Sequence, residues 1–376
     1  MNRHDAMRAA FAANFAEREE IGAAVCVWTD DGPSVSLTGG TVSREPDAAA
    51  WTENTLVPVW STTKGPAVAT VLRLLEQHGL HPGTPVHHVW PELPADVAFG
   101  HMLSHQVGLP ALDVETSLFD HEAAVIAIER QPPHWPPGTA HGYHPRTFGI
   151  LLEELARRLA GAPLGEVWRR DIAGPLGLEV WIGLPESEHS RVATVYPGRL
   201  APRPEEKAFG QAFAQSASLT RRAFASLRGL NAISELNQPA AWALGQPAFG
   251  GVASARGLAR FYHALATGEG GVFSPQLRTW AETTLVDGPD RVLLMPAAFS
   301  AGFQKDPIGP DGRKIRQHYG PSPRAFGHPG AGGSLAFADP ARRLGFAYVM
   351  NLISPGVMPG ERALSLVRVL ENDASS

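Results

Sequence analysis

The stretch V-W-S-T-T-K-G-P, residues 59–66, sets a serine three positions before a lysine. A serine hydroxyl is a weak nucleophile at neutral pH and needs a neighbouring base. A lysine amine serves as that base only when desolvation or nearby cations bring its pKa toward about 7–8. On a helix starting near Ser61, Lys64 lies one turn on and on the same face, within reach of the hydroxyl. The apolar runs V-P-V-W and A-V-A-T-V-L on either side supply dry surroundings. The plainer reading is a helix start, with Ser61, Thr62 and Thr63 as N-cap types and Lys64 as a solvated charge. Pro66 opposes a helix that begins at Ser61, because its ring meets a carbonyl one turn back: either the first turn is kinked or irregular, or the helix begins at Pro66 and the spacing of Ser61 and Lys64 no longer guarantees contact.

Three later segments add chemistry to the pair. In P-P-G-T-A-H-G-Y-H-P-R-T-F-G, Tyr143 sits in a Gly/Pro-rich loop ahead of a helix, with His144 beside it. The segments H-M-L-S-H-Q-V-G-L-P (101–110) and F-G-H-P-G-A-G-G-S-L-A-F-A-D-P (326–340) follow. Glycines as dense as those around Gly330 let backbone N–H groups approach a ligand closely. Trp60 and Trp135 flank these segments and are candidates for the wall of an acyl pocket. His101 and His105 are four apart, but H-M-L-S-H lacks the glutamate of H-E-x-x-H, so no metal is expected. A G-x-S-x-G elbow is absent around Ser61, which argues against an α/β-hydrolase.

The elements that must hold these residues are legible in outline. An amphipathic N-terminal helix precedes two strands, 22–30 and 34–43, joined by a turn at Asp30, Asp31 and Gly32. The strand T-L-V-P-V-W runs into Ser61, and a buried helix follows, stopping near Gly79. From about 80 to 250, Pro-rich loops alternate with helices such as the one over 146–161. Beyond 250 come the helix G-L-A-R-F-Y-H-A-L-A-T-G, two strands around D-P-A-R-R, and a final helix, E-R-A-L-S-L-V-R-V-L-E-N. The pattern is an α+β fold: an antiparallel sheet built from both chain ends, flanked by helices, with a mainly helical domain inserted. The expected division is 1–78 and 255–376 for the α/β domain and 79–254 for the insertion.

The 376 residues, 44% hydrophobic, are enough for a well-buried core. A net charge of -5 with no basic run makes nucleic acid a poor partner. The single cysteine, Cys26, excludes an intramolecular disulfide. No stretch approaches the ~20 apolar residues that span a bilayer, and Asp5, Arg8 and Glu17 interrupt any signal-peptide core, so the expectation is a cytoplasmic protein without membrane contact.

S-T-T-K, a tyrosine in P-G-T-x-x-x-Y, L-S-H-Q-V-G-L-P and H-P-G-A-G-G-S, in that order, resemble the serine β-lactamase and penicillin-binding-protein superfamily. The branch they resemble most is the class C-like, family VIII carboxylesterases, and the likeness runs from about residue 20 to the C-terminus. It implies the β-lactamase/DD-peptidase-like fold and no cofactor. It makes Ser61 the acylated nucleophile, with Lys64 and Tyr143 sharing the proton traffic and the order between them open. The N–H groups of Ser61 and Ala331 would form the oxyanion hole, and His328-Pro329-Gly330 falls where lactamases carry K-T-G. The departures point to the substrate. There is no K-T-G lysine to pair a substrate carboxylate, a histidine at 328 is mostly neutral near pH 7, and Tyr143 is followed by His144 and Pro145 rather than completing Y-x-N. A small neutral ester therefore fits better than an acidic lactam. The alternatives are a β-lactamase, a D-amino-acid peptidase or amidase, an acyltransferase of the same fold, or a non-catalytic descendant that binds in the same cleft.

Overall fold

The computed structural model describes residues 3–94, 96–199 and 203–371. Its centre is an eight-stranded antiparallel sheet in the order Gly32–Gly40, Gly22–Thr29, Leu344–Met350, Leu335–Asp339, Phe326–Pro329, Gln304–Lys305, Pro296–Phe299, Val286–Pro289. The N-terminal hairpin thus pairs with the C-terminal one: Val25 lies opposite Tyr348 and Cys26 opposite Ala347.

Side chains alternate across this sheet as strand geometry requires. Ala23, Val25, Val27, Leu335, Phe337, Phe346 and Tyr348 pack with Met7 and Phe11 of the helix Arg3–Glu17 and with Leu366, Val367 and Leu370 of the helix Glu361–Glu371. Ala24, Cys26, Ala336, Ala338, Ala347 and Val349 point the other way, into a larger core. That core holds the helices Lys64–Gln77, Thr147–Ala160 and Ala255–Thr267. Because both faces are covered, Leu344–Met350 is buried along its whole length. The small residues on the second face let the helix Ala255–Thr267 come close: a Cβ on Gly345 would lie 2.0 Å from the carbonyl oxygen of Ala259.

Several sequence expectations change in detail. The strand expected over 55–60 is only Val57–Pro58, and it pairs in a separate three-stranded sheet with Val252–Ala253, beside Val180–Trp181. Four strands of the main sheet, from Val286–Pro289 to Phe326–Pro329, carry no alternation that marked them, being two to four residues long. His105 lies past the helix Phe99–Leu103, at φ 62°, so it does not share a helix face with His101. Among the described residues, no helix is long and apolar enough to cross a membrane.

The close approach at Gly345 yields a stability prediction. Gly345→Ala is expected to destabilise the fold by roughly 1–3 kcal/mol, the usual range for overpacking a filled core. Urea unfolding checks it through a lowered midpoint at unchanged slope.

Candidate active site

Ser61 lies in a 3-10 turn, Trp60–Thr63, and the α-helix begins only at Lys64. This is the irregular first turn that Pro66 demands, since Pro66 now falls in the first α-turn, where its missing N–H has no partner to lose. Trp60 enters the turn with φ 48°, a left-handed conformation that costs about 1–2 kcal/mol for a non-glycine residue. Surrounding bonds hold it there. Thr62 Oγ1 is 3.1 Å from Ser334 Oγ, which donates to the carbonyl of Val59 at 2.8 Å. Thr63 Oγ1 donates to the carbonyl of Trp60 and accepts the N–H of Gly251 at 2.9 Å. Of the four residues in S-T-T-K, the two threonines therefore fasten the turn, one to the sheet and one to the loop at 251.

Lys64 is fully buried. Its Nζ lies 3.3 Å from Ser61 Oγ, 3.1 Å from the carbonyl oxygen of Pro145 and 2.9 Å from that of Ala248. No carboxylate accompanies it, and desolvation holds its pKa well below the ordinary 10.5. A neutral amine has two N–H bonds and one lone pair. The two carbonyls take the N–H bonds, and the lone pair is left for the Ser61 hydroxyl proton. Lys314, half-buried, shows the contrast: it stands 3.0 Å from the carboxylate of Asp306.

Tyr143 comes to the same place from its loop. It shares the cavity wall with Ser61, its ring lies under Lys64 Nζ at 4.8 Å, and burial raises its pKa, so it is protonated at neutral pH. Residues behind it fix the loop. The proton of His144 sits on Nδ1, 2.6 Å from the carbonyl of Gly142, and Nε2 accepts the N–H of Leu109 at 2.9 Å. Burial keeps that ring neutral, with its pKa pushed down to about 3. Trp135 is also buried there and donates to the carbonyl of Gln106 at 3.3 Å. Hence L-S-H-Q-V-G-L-P backs the Tyr143 loop.

A small cavity of about 20 Å³ opens on Ser61, Tyr143, His328, Pro329 and Ala331. Phe224, Leu293, Gln304, Val357 and Met358 complete its wall. His328 donates from Nδ1 to the carbonyl of Pro329 at 2.7 Å, which leaves Nε2 a bare acceptor without a partner. Its pKa is pushed down to about 3, chiefly by burial, so the ring is uncharged. Among the described residues, no charged side chain lines the cavity. Gly330 lies just beneath: a Cβ there would fall 2.0 Å from Ser334 Oγ and 2.3 Å from the carbonyl oxygen of Val59. A larger groove of about 720 Å³, walled by residues such as Trp181 and Leu244, contains no serine beside a base.

Of the residues singled out in the sequence, the structure brings Ser61, Lys64, Tyr143, His328 and Ala331 together. It does not put His144 or Trp135 on the cavity: both stand behind Tyr143, with their ring nitrogens bonded to backbone. Trp60 is half-buried and packs on the core rather than on the cavity wall. Sequence reasoning missed Phe224, Leu293, Gln304, Val357 and Met358, which reach the cavity only through long-range packing. It also missed Asp290, whose place in D-G-P-D reads simply as a turn.

The chain matches the Beta-lactamase family over residues 7–369. It is 31% identical over 380 residues to Esterase/beta-lactamase LipL of Mycobacterium tuberculosis, covering 93% of this chain and 81% of that protein. A penicillin-binding protein homolog from Caulobacter crescentus superposes with a TM-score of 0.83 at 34% identity, covering 100% of this chain and 98% of the other. A family VIII carboxylesterase superposes with a TM-score of 0.83 at 30% identity, covering 98% and 97%. The chain belongs to the Beta-lactamase family, has its fold and is a serine hydrolase.

The lowered pKa of Lys64 sets a pH dependence. If its amine is the base, acylation of Ser61 rises as the amine loses its proton and levels off well below pH 10.5. Lys64→Met is expected to lower the acylation rate by roughly 10²–10⁴-fold and to abolish the rise, as single-turnover rates measured across pH would report.

Proposed function

We propose that this member of the Beta-lactamase family is a carboxylesterase of the family VIII type, cleaving small neutral esters through an acyl-enzyme on Ser61. The observation that carries the reading is the buried, unpaired Lys64 amine 3.3 Å from the Ser61 hydroxyl, at a cavity lined, among the described residues, by no charged side chain. A carboxylate-bearing substrate would find no cation at His328, whereas a neutral ester needs none. The walls of Phe224, Leu293, Val357 and Met358 favour a short acyl chain.

In this mechanism Ser61 Oγ attacks the ester carbonyl while its proton passes to Lys64 Nζ. The neutral amine and the protonated phenol make Lys64 the first base and Tyr143 the relay. The new oxyanion lies between the backbone N–H groups of Ser61 and Ala331; among the described residues the Ala331 N–H has no acceptor of its own. As the intermediate collapses, the proton moves by way of Tyr143 to the leaving alcohol. Water then attacks the acyl-enzyme while giving a proton to Lys64, and as the bond from the acyl carbon to Ser61 Oγ breaks that proton passes back to Ser61 Oγ, releasing the carboxylic acid and restoring the neutral amine and the serine hydroxyl. No step calls on a metal or organic cofactor. A cytoplasmic site of action agrees with the single cysteine, Cys26, whose thiol is buried and whose pKa is pushed up to about 12.

The test is intact-protein mass after brief mixing with p-nitrophenyl butyrate or with nitrocefin, on the wild type and on Ser61→Ala. The expected result is rapid p-nitrophenol release with one acyl mass on the wild type only, and slow nitrocefin turnover. Faster hydrolysis of nitrocefin than of the ester would replace the esterase reading with a lactamase. Absence of any adduct would leave a binding protein.

A further inference from the structure

Asp290 follows the strand Val286–Pro289 and opens the loop to Pro296–Phe299. Its carboxylate is buried and faces no lysine or arginine. It accepts backbone N–H bonds instead. Oδ1 takes those of Val292 at 2.8 Å and Leu293 at 2.7 Å, and both oxygens take that of Tyr143, at 3.1 and 2.8 Å. His141 Nε2 lies 3.9 Å from Oδ2 and has no hydrogen-bond partner among the described residues.

The bonds to Val292 and Leu293 are the local pattern that any Asp uses to close a turn. The bond to Tyr143 is different, because it reaches 147 residues back along the chain to the one backbone N–H that belongs to the phenol at Ser61. Leu293, held by the same carboxylate, lines the Ser61 cavity. One buried group thus fastens two neighbouring parts of the site, beside the backbone bond from the N–H of Arg291 to the carbonyl of His141 at 3.0 Å. A turn alone needs neither full burial of a carboxylate nor its alignment on a remote loop.

We propose that Asp290 is the positioning residue for Tyr143: its carboxylate sets where the phenol meets Ser61 and keeps Leu293 in the cavity wall. The inference rests on the proton-relay role given to Tyr143 above. It makes a specific demand, because a relay matters most when the leaving group needs a proton. An alkoxide leaves poorly without one, whereas p-nitrophenolate leaves readily unaided.

The experiment measures kcat/KM for p-nitrophenyl butyrate and ethyl butyrate in the wild type, Asp290→Asn, Tyr143→Phe and the double variant. Asp290→Asn is expected to lower activity on the ethyl ester by roughly 100-fold, the scale of a misplaced catalytic group, and on the p-nitrophenyl ester at least tenfold less. Tyr143→Phe is expected to shift the ratio in the same direction. Adding Asp290→Asn to Tyr143→Phe should then change the ratio less than about threefold, because both act on one step. Equal loss on both esters, or the same added loss in both backgrounds, would mean that Asp290 only supports the fold and would overturn the inference. A Tyr143→Phe variant with an unmoved ratio would instead remove the relay role and the inference with it. If Asp290→Asn does not fold by circular dichroism, Asp290→Ser, which keeps an acceptor oxygen in a smaller side chain, carries the same expectations.

Discussion

The site depends on burying an amine with no countercharge. Isolating a full positive charge from water costs several kcal/mol even after relaxation, so a group in the position of Lys64 sheds its proton instead. The two carbonyls of Pro145 and Ala248 then become ideal partners for the N–H bonds of the neutral form. They lie on separate loops, and both loops must be placed before the lysine lone pair can face Ser61. Both residues fall between the strands Gly32–Gly40 and Val286–Pro289, so the chain between these strands supplies acceptors here without supplying an anion. A carboxylate at either place would keep the lysine protonated and the serine idle.

The same economy of charge runs through the surroundings. His144 and His328 are each neutral, each with one ring nitrogen donating to a backbone carbonyl within two residues. Burial keeps both from protonating at ordinary pH. Tyr143 is kept protonated by burial. The carboxyl of Asp290 nearby, whose pKa burial raises, is satisfied by backbone amides. The result is a dry pocket whose polar atoms are dipoles, where charge is expected to appear only during the reaction and where preorganised N–H groups have their greatest effect.

What the sequence disclosed follows from how local each signal is. Ser61 and Lys64 share one helical turn, so their contact is readable from spacing once Pro66 is seen to demand an irregular start. The hairpin Gly22–Thr29 with Gly32–Gly40 and the strands around D-P-A-R-R are long, apolar and bounded by turns, and they fall close to where the pattern puts them. The strands between 286 and 329 are too short to show a period, and their place is set by pairing with neighbours rather than by their own composition. His144, adjacent to Tyr143, and Trp135, eight residues before it, are near the phenol in sequence, yet both stand behind it with their ring nitrogens bonded to backbone. Asp290 and Met358 meet Tyr143 and the cavity over 147 residues or more, a relation that no spacing rule records.

The state of the lysine is the claim on which all else rests, and the chain makes it directly measurable. There are only four lysines, Lys64, Lys207, Lys305 and Lys314. Labelling with [ε-13C]lysine gives four resonances, and Lys64→Met assigns one of them, which matters because Lys305 is itself pushed down to about 8. The account predicts that the Lys64 carbon shows the shift of a neutral amine at pH 7 and titrates well below 10.5. A Lys64 resonance that stays charged until pH 10 or above would contradict it, and would leave Ser61 without its base.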